Sequence, residues 1–278
     1  MAVRWLKLTV AYDGGAYAGW QIQPDKPTVQ GVFEATWQKL TQESVHVTAA
    51  GRTDAGVHAL GQVVGISTQT RLSNEELHRG LNALLPDDIA VVTIDDAREG
   101  FHATYEAIGK RYRYHIHNAR SPSVFDRHYA WHYPHPLDAD AMHAAGQALV
   151  GRHDFSSFES AGSERPNSIR TITELTVARG VGTLLRPESV TINSSYQSQK
   201  NPDPFSGSDR ITIDVAGDGF LYNMVRTIVG TLVEVGRGTR DAHWPAAVLA
   251  ARDRRQAGQT APPHGLFLIS VDYESQRR

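Results

Sequence analysis

The stretch AAGRTDAGVHAL places one carboxylate, that of Asp54, in a loop framed by glycines. Arg52 precedes it, His58 follows it, and no second acid stands nearby. The flanking glycines would let another backbone or a ligand approach closely, and Arg52 could meet a phosphate or a carboxylate. The residues alone leave two interpretations open: an ordinary turn in which Asp54 binds its own backbone, or an anion or nucleotide site.

A second candidate is the segment KRYRYHIH, residues 110–117. Strand alternation puts Tyr112 and Tyr114 on one face and Arg111 on the other, with further basic residues beside it. The pattern fits a strand with one aromatic core face and one solvated face. It also fits the pairing of stacking rings with basic side chains that nucleic-acid-binding proteins use.

The third candidate is Arg226, which lies in the segment GDGFLYNMVRTIVG. Phe220, Met224 and Ile228 recur at four-residue spacing, so most of the segment is predicted to be a packed helix. An arginine in such a helix is costly unless it is paired. A carboxylate partner is therefore expected, and Asp54 is one candidate among several.

Composition excludes several other kinds of chemistry. The chain has no cysteine, which removes disulfides, thiolate nucleophiles and zinc–sulfur sites and makes an intracellular location the default. Thirteen histidines are present without an HExxH pattern, and there is no Walker loop, no GxGxxG after a strand and no serine elbow. The formal net charge is −2, which argues against a basic coat but not against local basic patches. No apolar run approaches the ~20 residues that span a bilayer.

Hydrophobic periodicity predicts the elements that position these residues. The first half reads β-α-β-β-α-β, with strands at 3–12, 45–50, 61–67 and 89–95 and helices at 28–42 and from the Ser73 cap to about Leu85. The second half repeats that order, with strands at 110–117, 170–178, 210–216 and 265–273, helices from Asp138 to Val150, from near Phe220 to Gly236 and over 245–253, and a short strand candidate at 128–133.

The doubled order predicts an α+β protein built from two ferredoxin-like β-α-β-β-α-β halves. The halves are expected at 1–106, which carries the Asp54 loop, and at 107–278. Residues 180–209 are rich in Gly, Pro, Ser and Asn, and we expect a surface insertion between two strands there.

The segments also resemble, in order along nearly the whole chain, the TruA family of tRNA pseudouridine synthases. The matching stretches are AYDGGAYAGWQIQP, AAGRTDAGVHALGQVV, GLNALLPDDIAV, FHATYEAIGKRYRY, GRHDFSSFES, RTI, FLYNMVRTIVGTLVEVG and GLFLISVDY, of which GRTDAGVHA is highly specific. The resemblance implies a cytoplasmic homodimer without cofactor or metal that converts uridines at positions 38, 39 and 40 of the tRNA anticodon stem-loop to pseudouridine. It also implies a central, mostly antiparallel sheet with flanking helices and a cleft between the halves.

The resemblance assigns roles to particular residues. The family's catalytic aspartate falls on Asp54, its active-site tyrosine on Tyr112, its buried arginine partner on Arg226, and the apolar residue near the uracil on Leu266. Arg52 takes the place of the arginine that engages RNA.

Further substrate-binding residues are expected around this set. Contacts of Arg52, Lys110 and Arg111 with phosphates could offset the cost of taking the uridine out of its stack. His58, in the same loop as Asp54, is included among the substrate-binding residues.

The implied chemistry needs only one acid. Isomerisation breaks the C1′–N1 bond and forms a C1′–C5 bond, without redox change or net hydrolysis. Asp54 could attack as a nucleophile or remove the C2′ proton, and both routes need it ionised. Tyr112 could stack on the base or accept the C5 proton.

The sequence departs from the family pattern at two places, and two rival functions stay open. Thr104 stands where the family usually has arginine, and the 180–209 segment exceeds the usual turn. The chief rival is a catalytically silent RNA-binding or folding module on the same scaffold. The other is a glycoside hydrolase, which would need two carboxylates ~5–9.5 Å apart.

Overall fold

The computed structural model describes residues 3–160, 167–180 and 209–274. Within these ranges the chain forms ten strands and five α-helices. The strands are β1 (Arg4–Tyr12), β2 (Thr48–Ala49), β3 (His58–Thr68), β4 (Ile89–Ala97), β5 (Ala107–His117), β6 (Trp131–His132), β7 (Gly151–Asp154), β8 (Ile169–Arg179), β9 (Arg210–Gly217) and β10 (Leu266–Tyr273). The helices are α1 (Val29–Thr41), α2 (Asn74–Leu84), α3 (Ala139–Gly146), α4 (Met224–Gly236) and α5 (Trp244–Ala251).

All of these strands belong to one sheet, in the order β4-β1-β3-β10-β5-β9-β8-β7, with β2 paired to β3 and β6 to β5. Among the described residues the pairings are antiparallel except for β3 with β10 and β5 with β6. The prediction of an α+β protein with a large, mostly antiparallel central sheet is confirmed.

The short parallel pairing of β3 with β10 joins the two parts of the sheet. It aligns Phe267 with His58 and Leu268 with Ala59. On one side the strands run β4-β1-β3, with β2 beside β3, and on the other they run β10-β5-β9-β8. If the four main strands of each side are numbered along the chain, both sides have the order fourth, first, third, second. Strands β6 and β7 are additional strands of the second side.

The main core lies between the sheet and its helices. Leu6, Leu8 and Val10 are fully buried, which confirms the predicted apolar face of β1. Trp37 of α1 and Leu81 of α2 are equally buried in the same cluster. Burial of side chains of this size contributes roughly 1.5–3 kcal/mol each, so the packing of the helices on this face stabilises the sheet.

Two predicted helix caps are present. Ser73 and Glu76 form a capping box, in which the Ser73 N–H donates to Glu76 Oε2 at 2.8 Å and the Glu76 N–H donates to Ser73 Oγ at 3.2 Å. Asp138 Oδ1 accepts from the N–H of Ala141 at 2.9 Å and starts α3. These local bonds satisfy N–H groups that a helix leaves unpaired, which is why the sequence reveals them.

Several elements differ from the prediction. Helix α4 begins at Met224 rather than near Phe220, because Asn223 adopts a left-handed conformation with φ 61°. The strand expected at 45–50 shortens to Thr48–Ala49. Strand β7 was not predicted, since GRHD lacks an apolar alternation.

The predicted insertion at 180–209 lies almost wholly outside the described residues, which resume at Asp209. The strands on either side of it, β8 and β9, pair with each other. No helix within the described ranges has both the length and the hydropathy that crossing a membrane requires.

Candidate active site

The Asp54 loop connects β2 to β3 and is held by side chains from the sheet. Gln62 donates from Nε2 to the Gly51 carbonyl at 2.7 Å, and the hydroxyls of Tyr12 and Thr53 lie 2.8 Å apart. Within the loop, the N–H of Val57 donates to the Asp54 carbonyl at 3.1 Å. The loop is therefore an ordered turn that presents the Asp54 side chain.

Gly19 packs directly against this loop. Its φ is +98°, and a Cβ placed on it would lie 2.6 Å from the Thr53 carbonyl oxygen. The same oxygen accepts from the N–H of Trp20 at 3.0 Å. Only glycine combines this backbone angle with this close approach.

Arg226, near the start of α4, is held by two hydrogen bonds. Nε donates to the Ala261 carbonyl at 2.7 Å, and Nη1 donates to Asn223 Oδ1 at 2.7 Å. Asn223 Nδ2 in turn donates to Ser160 Oγ at 3.1 Å. The left-handed backbone of Asn223 aims its side chain at the arginine. Asparagine tolerates that conformation better than most residues.

Asp54 and Arg226 meet across the cleft. Arg226 Nη1 lies 3.6 Å from Asp54 Oδ2, and the two side chains are 14% and 27% exposed. The prediction that Asp54 is the carboxylate beside Arg226 is confirmed. At this distance the two form an ion pair rather than a direct hydrogen bond.

The environment of Asp54 changes its acidity. Burial raises the pKa of the carboxyl above its ordinary value, and the neighbouring Arg226 guanidinium opposes that rise. A partly desolvated carboxylate is a better base and nucleophile than one in water, provided that a nearby cation keeps it ionised.

A cavity of about 770 Å³ opens above this pair, and we call it the Asp54 cavity. Its walls come from both of the strand groups that the β3–β10 pairing joins. The lining residues that matter below are Arg52, Asp54, Tyr112, Phe220, Tyr222, Asn223, Arg226 and Leu266. Among the described lining residues Asp54 is the only acid.

One wall of the cavity is aromatic and apolar. Tyr112 is 7% exposed and meets Phe220 edge to face, with ring centroids 5.1 Å apart. Leu266, at the start of β10, is also buried and lines the same cavity. These surfaces can hold a planar ring close to the Asp54–Arg226 pair.

A second cavity of about 730 Å³ adjoins the first, and we call it the Lys110 cavity. Gln21 and Arg52 line both cavities, so the two lie side by side. Lys110 Nζ lies 2.9 Å from the position that a Cβ on Gly51 would occupy. The glycine before Arg52 thus leaves room for a lysine beside the Asp54 loop.

The structure brings together five of the eight predicted site residues in the Asp54 cavity: Arg52, Asp54, Tyr112, Arg226 and Leu266. Lys110 lines the adjoining cavity. Arg111 and His58 line neither cavity.

Arg111 is on the other face of β5. Alternation turns it away from Tyr112, and its Nη1 and Nη2 donate to the carboxylate of Glu174 at 3.3 and 2.7 Å. The structure thus places Arg111 in a cross-strand ion pair outside both cavities, and a contact of Arg111 with substrate stays a prediction.

His58 is buried beneath the site. Its side chain is 2% exposed, Nδ1 accepts from the N–H of Gly14 at 3.1 Å, and Nε2 lies 3.2 Å from the His264 carbonyl. Its ring stacks on Phe267 with centroids 4.6 Å apart. Burial lowers the pKa of His58. In this position His58 supports the loops around the site, and its assignment as a substrate-binding residue stays a prediction.

Sequence reasoning missed Asn223, Phe220 and Tyr222 as cavity residues. All three fall in FLYN, for which the apolar spacing predicts the beginning of a packed helix. The asparagine directly before the apolar run was the available signal, because asparagine favours helix caps and left-handed backbone.

Fold and site together define an α+β protein with one ion-paired carboxylate in a cleft between two parts of a sheet. The sequence profile of a family described as tRNA pseudouridine synthase matches residues 8–106 and 145–274. The chain belongs to this family.

Curated relatives agree over the full length. A tRNA pseudouridine synthase A from Moorella thermoacetica is 45% identical over 270 residues, which cover 96% of this chain and 99% of the relative. Proteins of the same name from Acetivibrio thermocellus and Bacillus subtilis are 41% and 40% identical over 272 residues, covering 98% and 97% of this chain and 100% and 99% of those relatives. The resemblance read from the sequence is confirmed, and the protein class is that of an isomerase for uridine in tRNA.

Proposed function

We propose that this chain isomerises uridine to pseudouridine at positions 38, 39 and 40 of the tRNA anticodon stem-loop, with Asp54 as the one catalytic carboxylate. The observation that carries the proposal is the Asp54–Arg226 ion pair at 3.6 Å, in a cavity whose described lining contains no other acid. Family membership supports the reaction. The modified tRNA positions and the roles of the individual residues are proposed.

The reaction fits one acid because it starts and ends with the same atoms. The C1′–N1 bond breaks, the base turns, a C1′–C5 bond forms, and the proton lost from C5 is balanced by one gained at N1. Asp54 begins this sequence in one of two ways. It attacks C1′, and the ester bond so formed breaks when C5 attacks C1′, or it takes the C2′ proton and returns it to C2′ as the C1′–C5 bond forms. Arg226 keeps it ionised for either step.

The other cavity residues bind and orient the uridine. Tyr112 and Leu266 flank the uracil, and Tyr112 either stacks on the base or accepts the C5 proton through its hydroxyl. Arg52, which is exposed and lines both cavities, engages the phosphate backbone, and Lys110 extends that contact into the adjoining cavity. Removing a nucleotide from its stack costs a few kcal/mol, and phosphate contacts of this kind offset it.

The proposal extends to the organisation of the protein. Residues 1–106 and 107–278 form two ferredoxin-like halves, which the matching strand order on the two sides of the sheet supports. The active protein is a cytoplasmic homodimer that uses no cofactor, as the resemblance implies.

Mapping pseudouridine in unmodified tRNA incubated with the purified protein tests the function. New pseudouridine confined to positions 38 to 40 is the expected result. Modification elsewhere would contradict the proposed positions. Binding without conversion would favour the silent RNA-binding module, and release of free uracil would favour a hydrolase.

A further inference from the structure

The Lys110 cavity carries an aromatic ring that the catalytic account does not use. Tyr105 is 83% exposed, although it lies on the wall of a cavity. Its ring stacks on that of His102, with centroids 4.1 Å apart and planes inclined by 28°. One side of the tyrosine is thus supported by a second ring, while most of its surface remains in solvent.

The turn that carries Tyr105 is rigidly tied. The His102 N–H donates to Glu106 Oε1 at 2.7 Å, and the Glu106 N–H donates back to the His102 carbonyl at 3.2 Å. Thr104 donates from Oγ1 to the Ala49 carbonyl at 2.6 Å, just before the Asp54 loop. Hydrogen bonds fix the backbone on both sides of Tyr105, so the exposed ring is part of an ordered surface.

The charges around this ring favour an anion. Arg52, Lys110 and Arg170 line the cavity, and among its described lining residues the only acid is Asp218. Asp218 Oδ1 already accepts from the N–H of Thr171 at 2.9 Å. An excess of cations beside an exposed, supported ring is the combination that binds a nucleotide by its phosphate and its base.

The position of this surface beside the Asp54 cavity indicates which nucleotide it would bind. Because Arg52 and Gln21 line both cavities, an RNA strand with its target uridine in the Asp54 cavity can pass Arg52 directly into the Lys110 cavity. The nucleotide that arrives there is a direct neighbour of the target.

We infer that Tyr105, backed by His102, is a stacking platform for the base of the nucleotide next to the target uridine. The phosphodiester between the two nucleotides lies at Arg52 and Lys110. This inference rests on the proposed function for the identity of the strand, and it makes Tyr105 a residue that governs binding and sequence context rather than the chemical step.

The test measures binding and conversion separately. Dissociation constants of fluorescent anticodon stem-loop RNA are measured by anisotropy in an Asp54→Asn background, so that the RNA is not consumed. Tyr105→Ala is expected to weaken binding by about ten-fold or more, the range of a lost base–aromatic stack. Tyr105→Phe, which keeps the ring, restores the affinity.

Abasic RNA supplies the readout that a structural role would not move. With an abasic site on the 5′ or on the 3′ side of the target, Tyr105→Ala is expected to lose its penalty for one of the two RNAs. An unchanged affinity of Tyr105→Ala for intact RNA, or an equal penalty with both abasic RNAs, would overturn the platform. The proposed function is tested independently by pseudouridine formation in the wild-type protein. Absence of pseudouridine together with base-dependent binding would refute the function and leave the platform standing.

Discussion

The guanidinium of Arg226 lies 3.6 Å from the Asp54 carboxylate, yet its hydrogen bonds go to the Ala261 carbonyl and to Asn223. The arginine is therefore oriented by Asn223 and by the Ala261 carbonyl, independently of Asp54. Its positive charge stabilises the ionised carboxylate, while the carboxylate oxygens accept no direct hydrogen bond from it. A tighter bidentate pair would stabilise the ionised acid further but would block it from the sugar.

Replacing Arg226 with glutamine should move the pH dependence of the reaction. Burial already raises the pKa of Asp54, and Arg226 opposes that rise, so removing the cation raises the pKa further. Activity needs ionised Asp54 and falls as the pH drops through that pKa. The acid limb of kcat/KM should therefore lie at higher pH in Arg226→Gln than in the wild type.

Arg226→Lys is the matched control for the charge. It keeps the cation but cannot make both hydrogen bonds, so kcat/KM should fall about 10- to 100-fold while the acid limb moves less than in Arg226→Gln. An identical acid limb in the wild type and in Arg226→Gln would show that the arginine does not control the ionisation of Asp54.

Asn223 should separate backbone strain from positioning. Asn223→Gly relieves the left-handed backbone at φ 61° but removes the acceptor for Arg226 and the donor to Ser160, so its two effects on stability oppose each other while kcat/KM falls. Asn223→Ala loses the same acceptor and adds about 1–2 kcal/mol of strain. Thermal unfolding and steady-state kinetics of both variants check this. Equal activity of Asn223→Gly and wild type would remove the positioning role.

Tyr112→Phe should keep RNA binding and slow the reaction. The ring remains packed edge to face against Phe220, so only the hydroxyl is lost. If that hydroxyl takes the C5 proton, the single-turnover rate falls about 10²-fold or more, with an unchanged dissociation constant for tRNA. A wild-type rate would restrict Tyr112 to stacking on the base.

Gly19 should be intolerant of any side chain. Gly19→Ala places a Cβ 2.6 Å from the Thr53 carbonyl, at φ +98°, against the loop that carries Asp54. Gly100→Ala is the control, because Gly100 also has positive φ, +74°, but has no atom within 4 Å of an added Cβ. Denaturant unfolding should show the control losing about 1–2 kcal/mol and Gly19→Ala losing more. Equal losses would mean that the loop yields to the clash.

Features set by local chemistry were predictable from the sequence. The capping box of Ser73 and Glu76 and the alternating face of β1 depend on neighbours within a few residues. The need of Arg226 for a carboxylate partner was also predictable, because a charge in an apolar helix is costly unless it is paired. The residues alone left Asp54 as one candidate among several, and the family resemblance singled it out.

Features set by distant pairing were not predictable. The ion pair of Arg111 with Glu174 depends on β5 and β8 both flanking β9 in the sheet. The burial of His58 depends on Phe267, which comes from the last strand. The late start of α4 depends on one left-handed residue, Asn223, which the apolar spacing does not report.

The most direct measurement is pseudouridine mapping at positions 38 to 40 of tRNA treated with the Asp54→Asn protein, alongside its dissociation constant for the same tRNA. The amide keeps the size of the side chain and removes its charge. We expect tRNA binding close to that of the wild type and no detectable pseudouridine. Appreciable pseudouridine formation by Asp54→Asn would contradict the account of a single catalytic carboxylate.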